Sequence, residues 1–215
     1  IGPGQGYVNW GPVWDPDGDY LYYLSDRQFA PQLGSFEWNY LVNRETGIYA
    51  LALRTDVAHP LPPESDEVEL EDDEGEGVEA TGDEAEGDDD GDGDETDTAD
   101  PIDIHFNGLA QRVVRLPVDF DNYSGLSAGD GRVFVIRGGA QYYGRTADVQ
   151  PALLSFVLAD RETKTLAEEI GGYAVSGDDE HVLVREGGAW NVYPAAGGDA
   201  KTVSTSGLMV DRVPA

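Results

Sequence analysis

Gly125-Leu126-Ser127-Ala128-Gly129 matches the G-x-S-x-G pattern, in which a strained strand-to-helix turn presents a serine hydroxyl as a nucleophile. Here Asp130-Gly131-Arg132-Val133-Phe134 follows, which reads as a hairpin turn into a strand. Ser127 is therefore expected to be a turn residue whose hydroxyl bonds to backbone. The three histidines, His59, His105 and His181, show neither the i, i+4 spacing of a metal site nor a repeated pairing with Ser or Asp. Triads assemble in space rather than along the chain, but the sequence assigns no catalytic residue.

Cation and nucleotide chemistry fare no better. Asp88-Asp89-Asp90-Gly91-Asp92-Gly93-Asp94 alternates carboxylates with glycine like a calcium loop, but an EF-hand starting at Asp88 needs Glu at the twelfth position, where Ala99 stands. Asp15-Pro16-Asp17-Gly18-Asp19 is better explained as a β-turn with Pro and Gly at favourable positions. Gly2-Pro3-Gly4-Gln5-Gly6 lacks both a preceding strand and the spacing of a dinucleotide fingerprint. There is no cysteine, hence no thiol nucleophile and no thiolate zinc site. No metal, cofactor or cofactor-binding residue is expected.

The charge explains what the chain avoids. Its 215 residues hold 43 Asp and Glu against 13 Lys and Arg, a formal net charge of −30. Glu64–Asp100 carries 21 of those acids in 37 residues, with no base and no aromatic. Such a segment cannot bury enough apolar surface to offset its ordering entropy, and is expected to be a disordered, solvated insert. A chain this acidic, without a basic stripe, is not expected to bind nucleic acid. No apolar run approaches the ~18 residues of a membrane helix. Neither a signal peptide nor an initiator Met is present, so the chain reads as a piece of a longer protein.

The elements that must carry any site repeat. Trp10–Gly18 followed by Asp19–Leu24, Tyr123–Gly131 followed by Arg132–Ile136, and Tyr173–Glu180 followed by His181–Val184 each read as strand, Asp/Gly turn, strand. A third strand follows in each, at Ile48–Leu53, Leu153–Leu158 and Ala189–Tyr193, and a fourth at Gln111–Leu116, Thr165–Glu168 and Lys201–Ser204. Four short antiparallel strands every ~40–50 residues describe a β-propeller blade. The fold class expected is all-β: a partial propeller of about three to four four-stranded blades with the acidic insert inside. Aromatics such as Trp14, Tyr20, Tyr22, Trp38 and Trp190 are expected between blades. Propellers close with about four to eight blades, so the missing ones are expected ahead of Ile1.

The expected organisation is residues 1–63 as propeller, 64–100 as insert, 101–208 as propeller and 209–215 as the start of a linker. A blade's innermost strand lines the channel, which singles out Trp10–Trp14, Tyr123–Leu126 and Tyr173–Val175.

Val13-Trp14-Asp15-Pro16-Asp17-Gly18-Asp19-Tyr20-Leu21-Tyr22-Tyr23-Leu24-Ser25-Asp26-Arg27 resembles the WD-like repeat of TolB-type and tricorn-type propellers. Ile102–Val118, with Asn122-Tyr123-Ser124-Gly125-Leu126 after it, is similar to the second propeller of tricorn proteases. The tail, Ser206–Ala215, resembles the link out of that propeller. The resemblance implies a non-catalytic segment of a cytoplasmic serine protease that gates oligopeptides toward a nucleophile outside this chain, in a homo-oligomeric parent. Its partners would be peptide substrates and the rest of the parent chain, with no nucleic acid and no membrane. The alternatives are a freestanding TolB-like interaction propeller and, last, a propeller active by itself.

Overall fold

The computed structural model describes residues 8–27, 32–33, 40–41, 44–62, 102–140, 147, 149–204 and 206. The chain divides into two units, one formed by Ile1–Leu61 with Asp103–Ala215 and the other by Pro62–Ile102. The acidic run, the Asp88–Asp94 stretch, the Gly2–Gly6 stretch and Trp38 lie outside the described residues.

The first sheet has the order β1-β2-β5-β6, from β1 (Asn9–Trp14), β2 (Tyr20–Ser25), β5 (Gly47–Ala52) and β6 (Val113–Arg115). Between β2 and β5 sits a short ribbon that the repeat pattern did not show, β3 (Gln32–Leu33) paired with β4 (Tyr40–Leu41). The second sheet contains β7 (Asn122–Gly129), β8 (Arg132–Gly138), β9 (Ala152–Val157) and β10 (Glu162–Glu168) in sequential order. The third contains β11 (Ile170–Val175), β12 (His181–Glu186), β13 (Ala189–Pro194) and β14 (Lys201–Thr202). All pairings are antiparallel. The chain is therefore all-β and forms a partial β-propeller, with three blades among the described residues.

One hydrogen bond recurs at the same place in every blade. The residue after the third strand donates its N–H to the residue before the second: Leu53 to Asp19 (2.9 Å), Leu158 to Gly131 (3.0 Å) and Ala195 to Glu180 (2.8 Å). This ties the first turn of each blade to the end of its third strand and makes the sequence repeat a structural one.

Strand alternation then builds the core. Val133 and Val135 of β8 point one way, joining Tyr22, Leu24, Ile48 and Ala50 of the first blade. Phe134, between them, points the other way and joins Ile170, Val182 and Val184 of the third. Side chains alternate across a strand, so a strand sandwiched by two blades needs apolar residues at every position. That is the physical origin of the continuous Val133–Ile136 run.

The re-entry after the acidic segment is held by one side chain. Leu109–Arg112 forms a 3₁₀ turn where the fourth strand of the first blade was expected to begin. Arg112 donates to the carbonyls of Ala52 (2.9 Å), Leu53 (2.9 Å), Asn107 (2.8 Å) and His105. A guanidinium presents five N–H donors in a rigid fork, and here that fork fastens the returning chain to the end of β5.

Candidate channel-lining strands

Among the described residues, the first strands, β1, β7 and β11, each have a single strand neighbour in their sheets. Each carries a break in register: between Trp10 and Val13, between Ser124 and Ser127, and between Ile170 and Gly172. A β-bulge inserts a residue and re-aims the side chains around it. Gly11 (φ 59°) and Gly125 (φ 57°) occupy the same point in the first two bulges. At Gly125 the left-handed φ favours glycine, and an added Cβ would crowd the Ile136 Cδ1 at 3.0 Å.

The bulges divide each strand between core and solvent. Trp10 and Val13 pack into the seam between the first two blades, as do buried Tyr123 and Leu126. Tyr173 and Val175 pack into the second seam. The groups left exposed are Gly11, Pro12 and Trp14 on β1, Ser124 and Gly125 on β7, and Gly171 and Ala174 on β11. Thus the segments singled out from sequence contain exposed groups, but Trp10, Tyr123 and Tyr173 among them face the core. Pro12 suits this position, because an edge strand can dispense with a ladder N–H.

The inner row is held in place by tyrosines. Tyr173 donates its hydroxyl to the carbonyls of Gly125 and, at 3.2 Å, of Phe134. Burial pushes its pKa up to about 12, with a hydrogen bond from Ser127 opposing. Tyr123 donates to Asp119 O at 2.8 Å, and burial, then Asp121 and Asp119, push its hydroxyl up to about 12.

The residues weighed for catalysis do not gather here. Ser127 lies within β7 opposite Phe134, not in the turn as expected, because the bulge lengthens the strand to Gly129. Ser176, its counterpart in the repeat, does close a turn, donating to Asp178 Oδ1 and to His181 O and accepting from His181 N. Asp178, Glu180 and His181 offer ligand atoms within 4.8 Å of one another, all exposed. The Asp178 carboxylate is already committed to Ser176 and the Glu180 N–H, and the Ser176 bond lowers its pKa. His59 bonds to the main chain of Leu61.

His105 makes a grouping that sequence reading missed, since its partners lie on opposite sides of the acidic run. Its Nε2 is 3.2 Å from Asp103 Oδ2, and its Nδ1 is 3.0 Å from Thr55 Oγ1. The Thr55 N–H also donates to that Nδ1 at 3.1 Å. The ring lone pair a base would use is thus taken by backbone, and the trio fastens the chain after β5.

Asp15, Asp17 and Asp19 sit on the first turn, as expected of a turn rather than a cation loop. Gly18 N bonds to Asp15 O at 3.0 Å, and Asp19 pairs with Arg54 at 2.7 Å. Of the expected inter-blade aromatics, Tyr22 is fully buried and Tyr20 packs against the same seam. Trp14 (49 % exposed) and Trp190 (46 %) instead stand open. An apolar groove of about 300 Å³, lined by Trp14, Leu21, Leu53, Phe106, Leu109 and Val113, opens on the first blade away from the second.

A sequence profile described as the tricorn protease second beta propeller domain matches residues 5–195. The chain belongs to this tricorn propeller family. A solved structure described as the crystal structure of the tricorn protease superposes with a TM-score of 0.60 at 17 % identity, covering 94 % of this chain and 18 % of that one. At that identity the likeness shows the fold. The chain spans less than a fifth of the solved tricorn chain. No curated protein matches it.

Proposed function

We propose that this chain is a non-catalytic propeller segment of a tricorn-like serine protease, guiding oligopeptides along its inner strands toward a nucleophile carried elsewhere in the parent. Further blades of the parent would cover the open groove beside Trp14 and Phe106, since large exposed apolar patches mark surfaces that need a partner. The parent would be a cytoplasmic homo-oligomer with peptides as its substrates.

The observation that carries this reading is that each blade of this member of the tricorn propeller family begins with a bulged strand that has one strand neighbour among the described residues. The test is made in the full-length protein. Ser124→Trp and Ala174→Trp would narrow the passage; both positions are exposed. Turnover of a decapeptide should fall several-fold, while hydrolysis of a single-residue chromogenic amide stays unchanged. Equal losses on both substrates would remove the guiding role. A freestanding propeller would show no associated peptide hydrolysis at all.

A further inference from the structure

Asn107 and Gly108 form the one Asn-Gly pair in the chain. They stand at the centre of a turn closed by the Leu109 N–H, which donates to Phe106 O at 3.3 Å. Gly108 has a left-handed backbone there (φ 69°), which glycine adopts without strain. Both residues are exposed. The peptide between them crosses the turn, so its N–H is outside the closing bond and donates to no main-chain group among the described residues. Gly18, which follows Asp17, differs: its N–H is held by Asp15 O at 3.0 Å. The Asn107 amide is equally unattached among the described residues. Asn9, Asn122 and Asn191 instead hold theirs in bonds to Arg27, the Arg44 N–H and Glu186, and each precedes a bulky residue, Trp10, Tyr123 or Val192.

Arg112 makes this peptide more reactive. Its Nη1 donates to Asn107 O at 2.8 Å, and that oxygen belongs to the same peptide as the Gly108 nitrogen. When the nitrogen loses its proton, the negative charge is shared with the oxygen, and a guanidinium held there favours the ionised form. We infer that Asn107 is a site of spontaneous deamidation, with the Gly108 nitrogen as the nucleophile. Hydroxide removes the Gly108 amide proton, and the nitrogen attacks Asn107 Cγ. The N–Cγ bond forms, the bond from Cγ to the amide nitrogen breaks, and ammonia leaves with a proton from water. Glycine has no Cβ to hinder the approach. Water then opens the five-membered imide. Opening at Cγ gives aspartate; opening at the main-chain carbonyl gives isoaspartate, whose backbone is one methylene longer through the turn. Either product adds a negative charge. Isoaspartate also takes the oxygen that Arg112 holds out of the main chain, so the fastening of the returning chain alters as the protein ages.

The test is incubation of this chain at pH 8.5 and 37 °C, followed by mass spectrometry of the tryptic fragment Thr55–Arg112, with fragmentation that separates aspartate from isoaspartate. The fragment should gain one mass unit at Asn107, with isoaspartate the larger product. The gain should be at least tenfold faster than at Asn9, Asn122 or Asn191. Asn107→Gln should abolish it, and Gly108→Ala should slow it at least tenfold. A synthetic peptide of residues 104–111, which lacks Arg112, should react no more than threefold faster than the folded chain. No gain at Asn107, an equal gain at the other three asparagines, or an unchanged rate in Gly108→Ala would each overturn the inference. So would a peptide more than threefold faster, because the fold would then be protecting the pair.

Discussion

The Tyr173 hydroxyl of the third blade donates to the Gly125 carbonyl at the bulge of the second, joining two inner strands 48 residues apart. The bond forms where an edge carbonyl would otherwise have no ladder partner, and it fixes the spacing of the inner row. Replacing Tyr173 by Phe keeps the ring against Phe134, with centroids 6.5 Å apart, and removes only the hydroxyl. A loss of about 1 kcal/mol is expected by urea denaturation. The same hydroxyl, held up to about 12 by burial, should not ionise below pH 11 in the folded chain, as read by ultraviolet absorbance.

Tyr22 presents the opposite case. Its hydroxyl is buried without a hydrogen-bond partner among the described residues, and its side chain is fully enclosed. Burial, then Asp15, raise its pKa. A buried unsatisfied hydroxyl costs about 1–3 kcal/mol, so Tyr22→Phe should leave stability unchanged or raise it by about 1 kcal/mol. A loss above 1 kcal/mol would mean that the hydroxyl is bonded.

Asp15 gives the fold a pH dependence of predictable sign. Burial first, then the charge of Asp17, push its carboxyl from 3.8 to about 6, against hydrogen bonds from the backbone of Asp19 and Asp17. A carboxyl that holds its proton more tightly when folded contributes most below pH 4, and that contribution is lost as pH rises through 6. The side chain is partly exposed, and solvent screening reduces the effect to about 1 kcal/mol. Asp15→Asn should therefore gain about that much stability relative to the wild type on going from pH 4 to pH 7, followed by thermal melts at both.

Arg112 should behave as a clasp rather than as a charge. Its four carbonyl contacts need the planar fork, so Arg112→Lys should lose nearly as much as Arg112→Ala, about 2 kcal/mol. Hydrogen exchange should rise first at Val113–Arg115 and at the end of β5. Full rescue by Lys would show that charge alone suffices.

Phe134 fills the seam between the second and third blades and is fully buried. Phe134→Ala is expected to cost about 3–5 kcal/mol by denaturant titration, from lost transfer energy and the cavity left behind.

The blades were legible because each repeats a strand, an Asp/Gly turn and a strand, and because β8 had to be apolar on both faces. The ribbon of β3 and β4 was not, since two-residue strands leave no periodic pattern. Nor could the bulges be read: Ser127 looked like a turn residue, whereas the positive φ of Gly125 lets β7 continue through it. The direction of Tyr123 and Tyr173 was hidden for the same reason, because one inserted residue reverses which side chains face inward. The Thr55–His105–Asp103 grouping spans the acidic run, and no local spacing announces it.

The outermost strand of the first blade arrives late. Sixty residues separate Ala52 from Val113, against four between Val157 and Glu162 at the equivalent step of the second blade. Closing the longer connection costs about 2–3 kcal/mol more in chain entropy, so a refolding chain should assemble the second blade ahead of the first. On a ribosome, three strands of the first blade would wait half-dressed until β6 emerged, and lengthening the acidic run should slow that final step while leaving the later blades' folding times untouched.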